Sequence, residues 1–165
     1  MLKPGIESAL NDQMNREFYS SYLYLAMSTY FESVNLKGFA HWLRIQAQEE
    51  TEHAMKFYEH LTDRGGRVVL QSIQAPPSAW KSHKTVFDDA YHHEQKITEA
   101  INQLVDMAKS DRDHATENFL QWFVKEQVEE EASTYGVLQK LQLAGDSGSA
   151  LLVLDSELAK RAASE

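Results

Sequence analysis

The chain has 165 residues, and its 25 acidic and 16 basic side chains give it a formal net charge of −9. A surface with this charge repels nucleic acid and anionic membranes and attracts cations. The absence of cysteine excludes disulfides, thiolate catalysis and iron–sulfur clusters, and no apolar run resembles a signal peptide or a membrane span. We therefore expect one soluble, cytoplasmic domain over residues 1–165, with no nucleic-acid or membrane partner.

Hydrophobic periodicity predicts four long helices arranged as two pairs. The first runs from Ile6 to about Ser33, and the second runs from about Phe39 to Arg64, where Gly65-Gly66 ends it. The third runs from about Lys84 to Ser110 and the fourth from about His114 to Ala144. Helices of this length that are joined by short turns lie antiparallel.

The segment between the two pairs is not helical, because it contains Ala75-Pro76-Pro77-Ser78. It is long enough to travel the length of a bundle from one hairpin to the other. A short apolar helix, from Ser149 to about Arg161, follows the fourth long helix. The predicted fold is therefore all-α: a four-helix bundle over about 6–144 with one long crossover, and a C-terminal helix over about 149–161.

The second helix carries Glu50 and His53, which are three residues apart and therefore neighbours on one face. Leu43 and Phe57 lie seven residues before and after Glu50, so this face is the apolar one. A carboxylate and an imidazole on such a face are costly unless something compensates them, and a divalent metal suits this pair. A Glu-x-x-His spacing alone is weak evidence for a metal site.

Each of the other long helices also carries a polar residue on its apolar face, at a similar distance from the hairpin turn. Glu17 and Glu50 are separated by 33 positions, and so are Glu94 and Gln127. The midpoint of each pair falls at a predicted turn, so the two members face each other within their hairpin. Glu130 lies one turn beyond Gln127 on the same face. We therefore expect one mid-bundle cluster that contains Glu17, Glu50, His53, Glu94 and Glu130.

Four carboxylates at this distance cannot all stay ionised without a cation, because like charges repel strongly where the effective dielectric is low. Two divalent metals would neutralise them, and the ligand types suit Fe(II), Mn(II) or Zn(II). The alternative for each glutamate is a position at the edge of the core with its head group in water. That explanation is poor for five residues at one level, so the sequence predicts a dinuclear metal site.

Two further features remain open at this stage. Tyr24 lies seven residues after Glu17 on the same face, either as core filler with a bonded hydroxyl or as a residue that hydrogen-bonds a ligand or lends an electron to oxygen. Glu49 and Glu52 lie beside Glu50, and Glu126 and Glu129 flank Glu130. They form either a solvated face or part of a second, more exposed cation site.

With Glu50-x-x-His53 in the second helix and Gln127-x-x-Glu130 in the fourth, the chain resembles the non-haem ferritins of the bacterial and archaeal type over nearly all its length. Bacterioferritins, rubrerythrins and di-iron oxygenases usually carry a second Glu-x-x-His in the fourth helix. The residue before His53 is Glu52, whereas bacterioferritins use a methionine there to bind haem. We therefore expect a ferritin-like bundle without haem.

The resemblance implies a ferroxidase that oxidises Fe(II) with dioxygen or hydrogen peroxide and stores Fe(III) as a mineral. It also implies a homo-oligomeric shell, a 24-mer, in which the fifth helix packs around the shell axes. The first iron would be bound by Glu17, Glu50 and His53. The second would be bound by Glu94 and Glu130, with Glu50 bridging and Gln127 nearby. A third iron site maps onto Glu49, Glu126, Glu129 and Glu130, and Tyr24 and Trp122 match the aromatic residues beside the centre.

Two other functions are compatible with the pattern. The first is a di-iron or di-manganese peroxidase of the same bundle class, which keeps its metals and would turn over without net iron uptake. The second is an interaction bundle without metal chemistry. In such a bundle Glu50→Ala would leave stability unchanged or raised, because it would relieve buried repulsion, and added Fe(II) would not raise the melting temperature.

Overall fold

The computed structural model describes residues 2–162, and its regular structure consists of helices. Their bounds are Pro4–Ser33 (α1), Lys37–Asp63 (α2), His83–Ser110 (α3), His114–Ala144 (α4) and Gly148–Leu158 (α5). Over the described range no residue is in a strand, which confirms the all-α prediction. α1 packs along α2, α3 packs along α4, and α1 also contacts α3. The result is two antiparallel hairpins that form one bundle, with α5 against α2 and α4.

Several helix ends differ from their predicted positions by one to three residues. α1 begins at Pro4 and not at Ile6, because proline fits the first helical position, where its missing N–H is not needed. α2 begins at Lys37 and not at Phe39. The prediction that α5 extends to about Arg161 is wrong, since the helix ends at Leu158.

The crossover between α2 and α3 is attached to α1 by asparagine side chains. Asn11 accepts a hydrogen bond from the N–H of Val69 at 2.7 Å and donates to the carbonyl of Arg67 at 3.0 Å. Asn15 accepts from the N–H of Gln71 at 2.9 Å and donates to the carbonyl of Val69 at 3.0 Å. These amides bond an extended backbone that has no neighbouring strand, so the crossover follows the bundle without forming a sheet.

The apolar core is divided into two clusters. One is built around Phe31, Phe39 and Phe87, and the other around Phe57 and Phe123. Polar side chains that are almost completely buried also lie inside the bundle, and they come from all four long helices: Gln13, Glu17, Gln46, Glu50, His53, Glu94, Gln127 and Glu130. Among the helices of the described residues, none has the length and apolar character needed to span a bilayer.

α5 is docked on the first turn of α2 through one carboxylate. Asp155 Oδ1 accepts hydrogen bonds from the N–H groups of Gly38 at 2.8 Å and Phe39 at 3.0 Å. These are N–H groups that a helix start leaves without an internal partner, and a carboxylate there also interacts favourably with the helix dipole. Leu154 and Leu158 bury the apolar side of α5. The fifth helix therefore caps α2 from a distance of more than a hundred residues.

We expect Gly38→Ala to weaken the docking of α5. A Cβ on Gly38 would lie 1.7 Å from the backbone oxygen of Asp155, so the two helices must separate. The free energy of unfolding should fall by about 1–3 kcal/mol, measured by denaturant unfolding. Gly136→Ala is the matched control, because its Cβ would meet nothing within 4 Å. Equal effects of both substitutions would contradict the close approach.

Candidate metal centre

α1 and α2 contribute the first group of ligand-type side chains. One ligand atom each from Glu17, Glu50 and His53 lies within 4.8 Å of the others. His53 Nδ1 is 3.4 Å from Glu50 Oε2, as the three-residue spacing on a helix predicts. All three residues are buried.

α3 and α4 complete a second group that shares a member with the first. Ligand atoms of Glu50, Glu94 and Glu130 also lie within 4.8 Å of one another. Glu50 thus belongs to both groups, so it lies close to carboxylates of the opposite hairpin as well as to Glu17 of its own hairpin. The five residues that the repeat selects in the sequence therefore come together in one site. Two cations could occupy it on either side of Glu50.

Three amides hold the carboxylates in place. Gln13 donates to Glu17 Oε1 at 2.7 Å, and Gln127 donates to Glu94 Oε2 at 3.1 Å. Gln46 Nε2 lies 2.6 Å from Glu130 Oε2 and 3.3 Å from Glu50 Oε1, so it connects α2 to α4. Of these amides, only Gln127 was selected in the sequence analysis.

The other two amides leave a signal that sequence reasoning missed. Gln13 stands four residues before Glu17, and Gln46 stands four residues before Glu50. Residues four apart on a helix are neighbours on one face. The two glutamines are also separated by the same 33 positions as the two glutamates. The repeat therefore contains an amide–carboxylate pair on each helix of the first hairpin.

Tyr24 is both a core residue and part of the site. Its side chain is fully buried, and its hydroxyl donates to Glu94 Oε1. Burial and the nearby carboxylates, Glu94 first among them, raise the pKa of this phenol well above its ordinary value, so it stays a donor. Its ring also meets the ring of His93 edge-on, at 6.3 Å between centroids.

The carboxyl groups are strongly perturbed by burial and by one another. Burial, followed by the charge of Glu50, raises the pKa of Glu17 to about 8. Burial, followed by Glu94, raises the pKa of Glu130 to about 8. Burial raises the pKa of Glu94 to about 7, and hydrogen bonds from Tyr24 and Gln127 act in the opposite direction. The metal-free site therefore holds protons at neutral pH.

One buried oxygen fits a cation better than it fits any donor nearby. Glu17 Oε2 is the single buried side-chain N or O atom of residues 2–162 that has no hydrogen-bond partner. A buried acceptor without a partner is costly. It belongs to the Glu17, Glu50 and His53 group, where a divalent metal would bind it. This orphaned oxygen and the carboxylate–imidazole set both fit iron as the substrate of the site.

The outer acids that the resemblance implies for a third iron are only partly brought together. Glu126 and Glu130 form a group within 4.8 Å, and its third member is His53. Glu49 forms an ion pair with Arg161. Glu129 is exposed, and its Oε1 lies 3.6 Å from Nζ of Lys125 on the same helix.

The aromatic neighbour of the ligand histidine comes from α4. Trp122 meets the His53 ring edge-on at 5.3 Å between centroids, and the ammonium of Lys56 lies 4.5 Å from the centre of the Trp122 ring. Trp122 is partly exposed. It therefore packs between the site and the surface.

The fold and the cluster define a four-helix-bundle protein with a buried carboxylate–imidazole centre suited to two metal ions. Comparisons with known proteins agree with this class. A family model described as a ferritin-like domain matches residues 7–144. The bacterial non-heme ferritin of Bacteroides fragilis strain 638R is 40% identical over 98% of this chain and 100% of that protein. The one from Escherichia coli O157:H7 is 42% identical over 96% of each.

Solved structures give the same result. An engineered closed form of the Archaeoglobus fulgidus ferritin is 49% identical with a TM-score of 0.98, covering 99% of this chain and 100% of that one. A humanized archaeal ferritin is 48% identical with a TM-score of 0.99 over the whole of both chains. The chain belongs to the non-haem ferritins of the bacterial and archaeal type. It is an iron storage protein, and the metal-retaining peroxidase is not favoured.

We expect the metal-free protein to lose stability as the pH rises from 6.5 to about 8.5. Carboxyls with raised pKa values keep protons in the folded state that the unfolded chain has already released, so the free energy of unfolding falls with pH until those protons are lost. His93, whose burial lowers its pKa from 6.5 to about 4, opposes this trend only below pH 6.5.

Thermal unfolding of the metal-free protein across this range measures the effect. Bound Zn(II) should replace the protons, so the gain in melting temperature on adding Zn(II) should widen as the pH rises. A melting temperature of the metal-free protein that rises from pH 6.5 to 8.5 would contradict the assignment.

Proposed function

We propose that this chain is a ferroxidase, which oxidises Fe(II) at the mid-bundle cluster and stores the product as an Fe(III) mineral. The observation that supports it most is that Glu50 is shared by two adjacent groups of ligand atoms. A shared carboxylate holds two metal ions close together. Two Fe(II) ions side by side supply two electrons to one oxidant.

The redox balance follows from that pairing. Each Fe(II) gives up one electron. Dioxygen accepts two electrons and two protons and becomes hydrogen peroxide, or hydrogen peroxide accepts two electrons and two protons and becomes two molecules of water. The protein holds the ions and supplies a buried site from which protons leave as Fe(II) enters, because the ligand carboxyls must be deprotonated to bind.

Tyr24 and Gln127 act on the second iron through Glu94. Both donate hydrogen bonds to this carboxylate, one to each oxygen. They fix its orientation, and partners of this kind tune how strongly a ligand holds its metal. The phenol of Tyr24 also contacts the proposed iron ligand Glu94, so it is close enough to lend an electron to an oxidant at the site.

The two irons differ in their ligands, so their affinities should differ. The first has the imidazole of His53, whereas the second has only oxygen ligands. Oxygen ligands with open positions should hold Fe(II) more weakly than a set that contains nitrogen. A weakly held second iron allows the product to leave for the mineral.

Storage requires an enclosed space, for which we propose a shell of 24 identical subunits. α5 supports this assembly, because Leu152 and Val153 are 62% and 70% exposed in the single chain. Neighbouring apolar residues of this kind mark contact surfaces between proteins. Related structures are described as a closed form and an open pore form of the Archaeoglobus fulgidus ferritin.

Glu50→Ala should abolish iron oxidation without destabilising the metal-free protein. It removes a ligand that both irons share, so the initial rate of oxygen consumption after adding Fe(II) should fall by at least about 100-fold. The free energy of unfolding should be unchanged or raised, because the substitution relieves repulsion within the cluster. Iron retained per shell, measured after size-exclusion chromatography, should fall as well.

Glu52→Ala is the matched control, because it removes the same charge from an exposed position of α2. It should oxidise and retain iron like the unchanged protein. The ferroxidase proposal fails if Glu50→Ala still oxidises Fe(II) normally, or if the unchanged protein turns over peroxide without retaining iron.

Anaerobic titration of the metal-free protein with Fe(II) should show two inner binding events of unequal affinity. His53→Ala should weaken the tighter event, and Glu94→Ala should weaken the other. Isothermal titration calorimetry separates the two. Identical and independent inner sites in the unchanged protein would contradict the ligand asymmetry.

A further inference from the structure

Arg161 stands three residues after the end of α5, and its side chain is bound to α2. Its Nη1 donates to Gln46 Oε1 at 2.8 Å, and its Nη2 donates to the carboxylate of Glu49. The guanidinium carbon lies 4.2 Å from the centre of the Trp42 ring, and the Arg161 carbonyl is 2.8 Å from His41 Nε2. Arg161 thus contacts four residues of α2.

These contacts place a positive charge one amide side chain away from two of the proposed iron ligands. The amide of Gln46 binds Arg161 through its oxygen, and its nitrogen lies against Glu130 and Glu50. Glu49 also stands four residues before His53, a member of the outer group, so these two side chains are neighbours on one face of α2. Arg161 is therefore in contact with the wall of the centre, although it lies 112 positions from Glu49 in sequence.

The guanidinium also occupies the Glu49 carboxylate, which would otherwise be available to a metal at the outer position. Glu49 is nearly buried, with 9% of its side chain exposed, and Arg161 is 20% exposed. The outer group of His53, Glu126 and Glu130 has its ligand atoms together without Glu49. A pair as enclosed as this one is screened less by water and salt than a surface pair.

We propose that Arg161 is a built-in cation that competes with a third metal ion for Glu49, and so keeps the outer position beside the dinuclear centre weak. The proposal rests on the metal-binding function proposed above. A metal at the outer position gains Glu49 as a ligand only when the guanidinium leaves. Arg161 would then be attached to α2 through fewer contacts. Occupancy of the outer position and the attachment of Arg161 to α2 are therefore coupled.

A tether without this role would behave differently. If Arg161 only attaches the C-terminal segment, its removal would change stability or assembly but not the affinity of the outer position. If it competes for Glu49, its removal should tighten that position and leave the two inner positions as they were. The gain should also depend on the presence of Glu49.

The test uses Zn(II), a divalent ion that is not oxidised, in calorimetric titrations of the assembled metal-free protein. Arg161→Gln should bind a third Zn(II) about tenfold more tightly than the unchanged protein, the ratio that corresponds to one charge-assisted hydrogen bond. The two inner events should keep their affinities. Glu49→Gln added to Arg161→Gln should remove the gain.

Arg44→Gln is the charge-matched control, because Arg44 lies on α2 and pairs with Glu32 at 2.7 Å, away from the centre. It should leave all Zn(II) events unchanged. An outer affinity in Arg161→Gln equal to that of the unchanged protein overturns the proposal, and so does an equal gain in Arg44→Gln. If no variant or unchanged protein binds Zn(II) at the inner positions, the proposed metal centre itself fails.

A second measurement does not depend on the folding of any variant. Crystals of the unchanged protein are soaked in Zn(II) until anomalous scattering shows the outer position filled. The expected structure has Glu49 on the metal and the Arg161 guanidinium moved away from it. An outer metal with the Arg161–Glu49 pair intact would overturn the competition.

Discussion

The main constraint on this structure is the free energy that is needed to bury four carboxylates close together in the bundle interior. Each of them is almost completely shielded from water, and their mutual repulsion adds to the cost of burial. The metal-free chain reduces this cost in two ways, with amide and phenol donors and with protons kept at neutral pH. No amide or phenol donates to the second oxygen of Glu17. Divalent cations would bind this oxygen and neutralise the cluster, so we interpret the cluster as a metal site.

The bundle around this cluster is arranged to make that burial possible. Two apolar clusters, each rich in aromatic rings, supply the packing that the polar centre cannot. The hairpin turns stand midway between the paired polar residues, so both hairpins bring their ligands to one level. The long crossover, bound to α1 by Asn11 and Asn15, allows the second hairpin to run in the required direction. The convergence of the ligand-type side chains thus follows from matching heights on four helices.

Much of this could be predicted from the sequence, because a period of 33 residues and a helical stripe are both local patterns. The bounds of α4 and the convergence of Glu17, Glu50 and Glu94 follow from such patterns. What could not be predicted depends on contacts between distant segments. Asp155 on the start of α2 and Arg161 on Glu49 are examples. For the same reason the spacing of the outer acids did not reveal which of them face the centre.

The most direct test of the central claim is anomalous diffraction at the iron edge from crystals soaked anaerobically in ferrous salt. The account predicts two iron peaks bridged by Glu50, one beside His53 and one beside Glu94, with the unpartnered oxygen of Glu17 on the first. A cavity that contains no iron, with the glutamate head groups turned toward solvent, would contradict it.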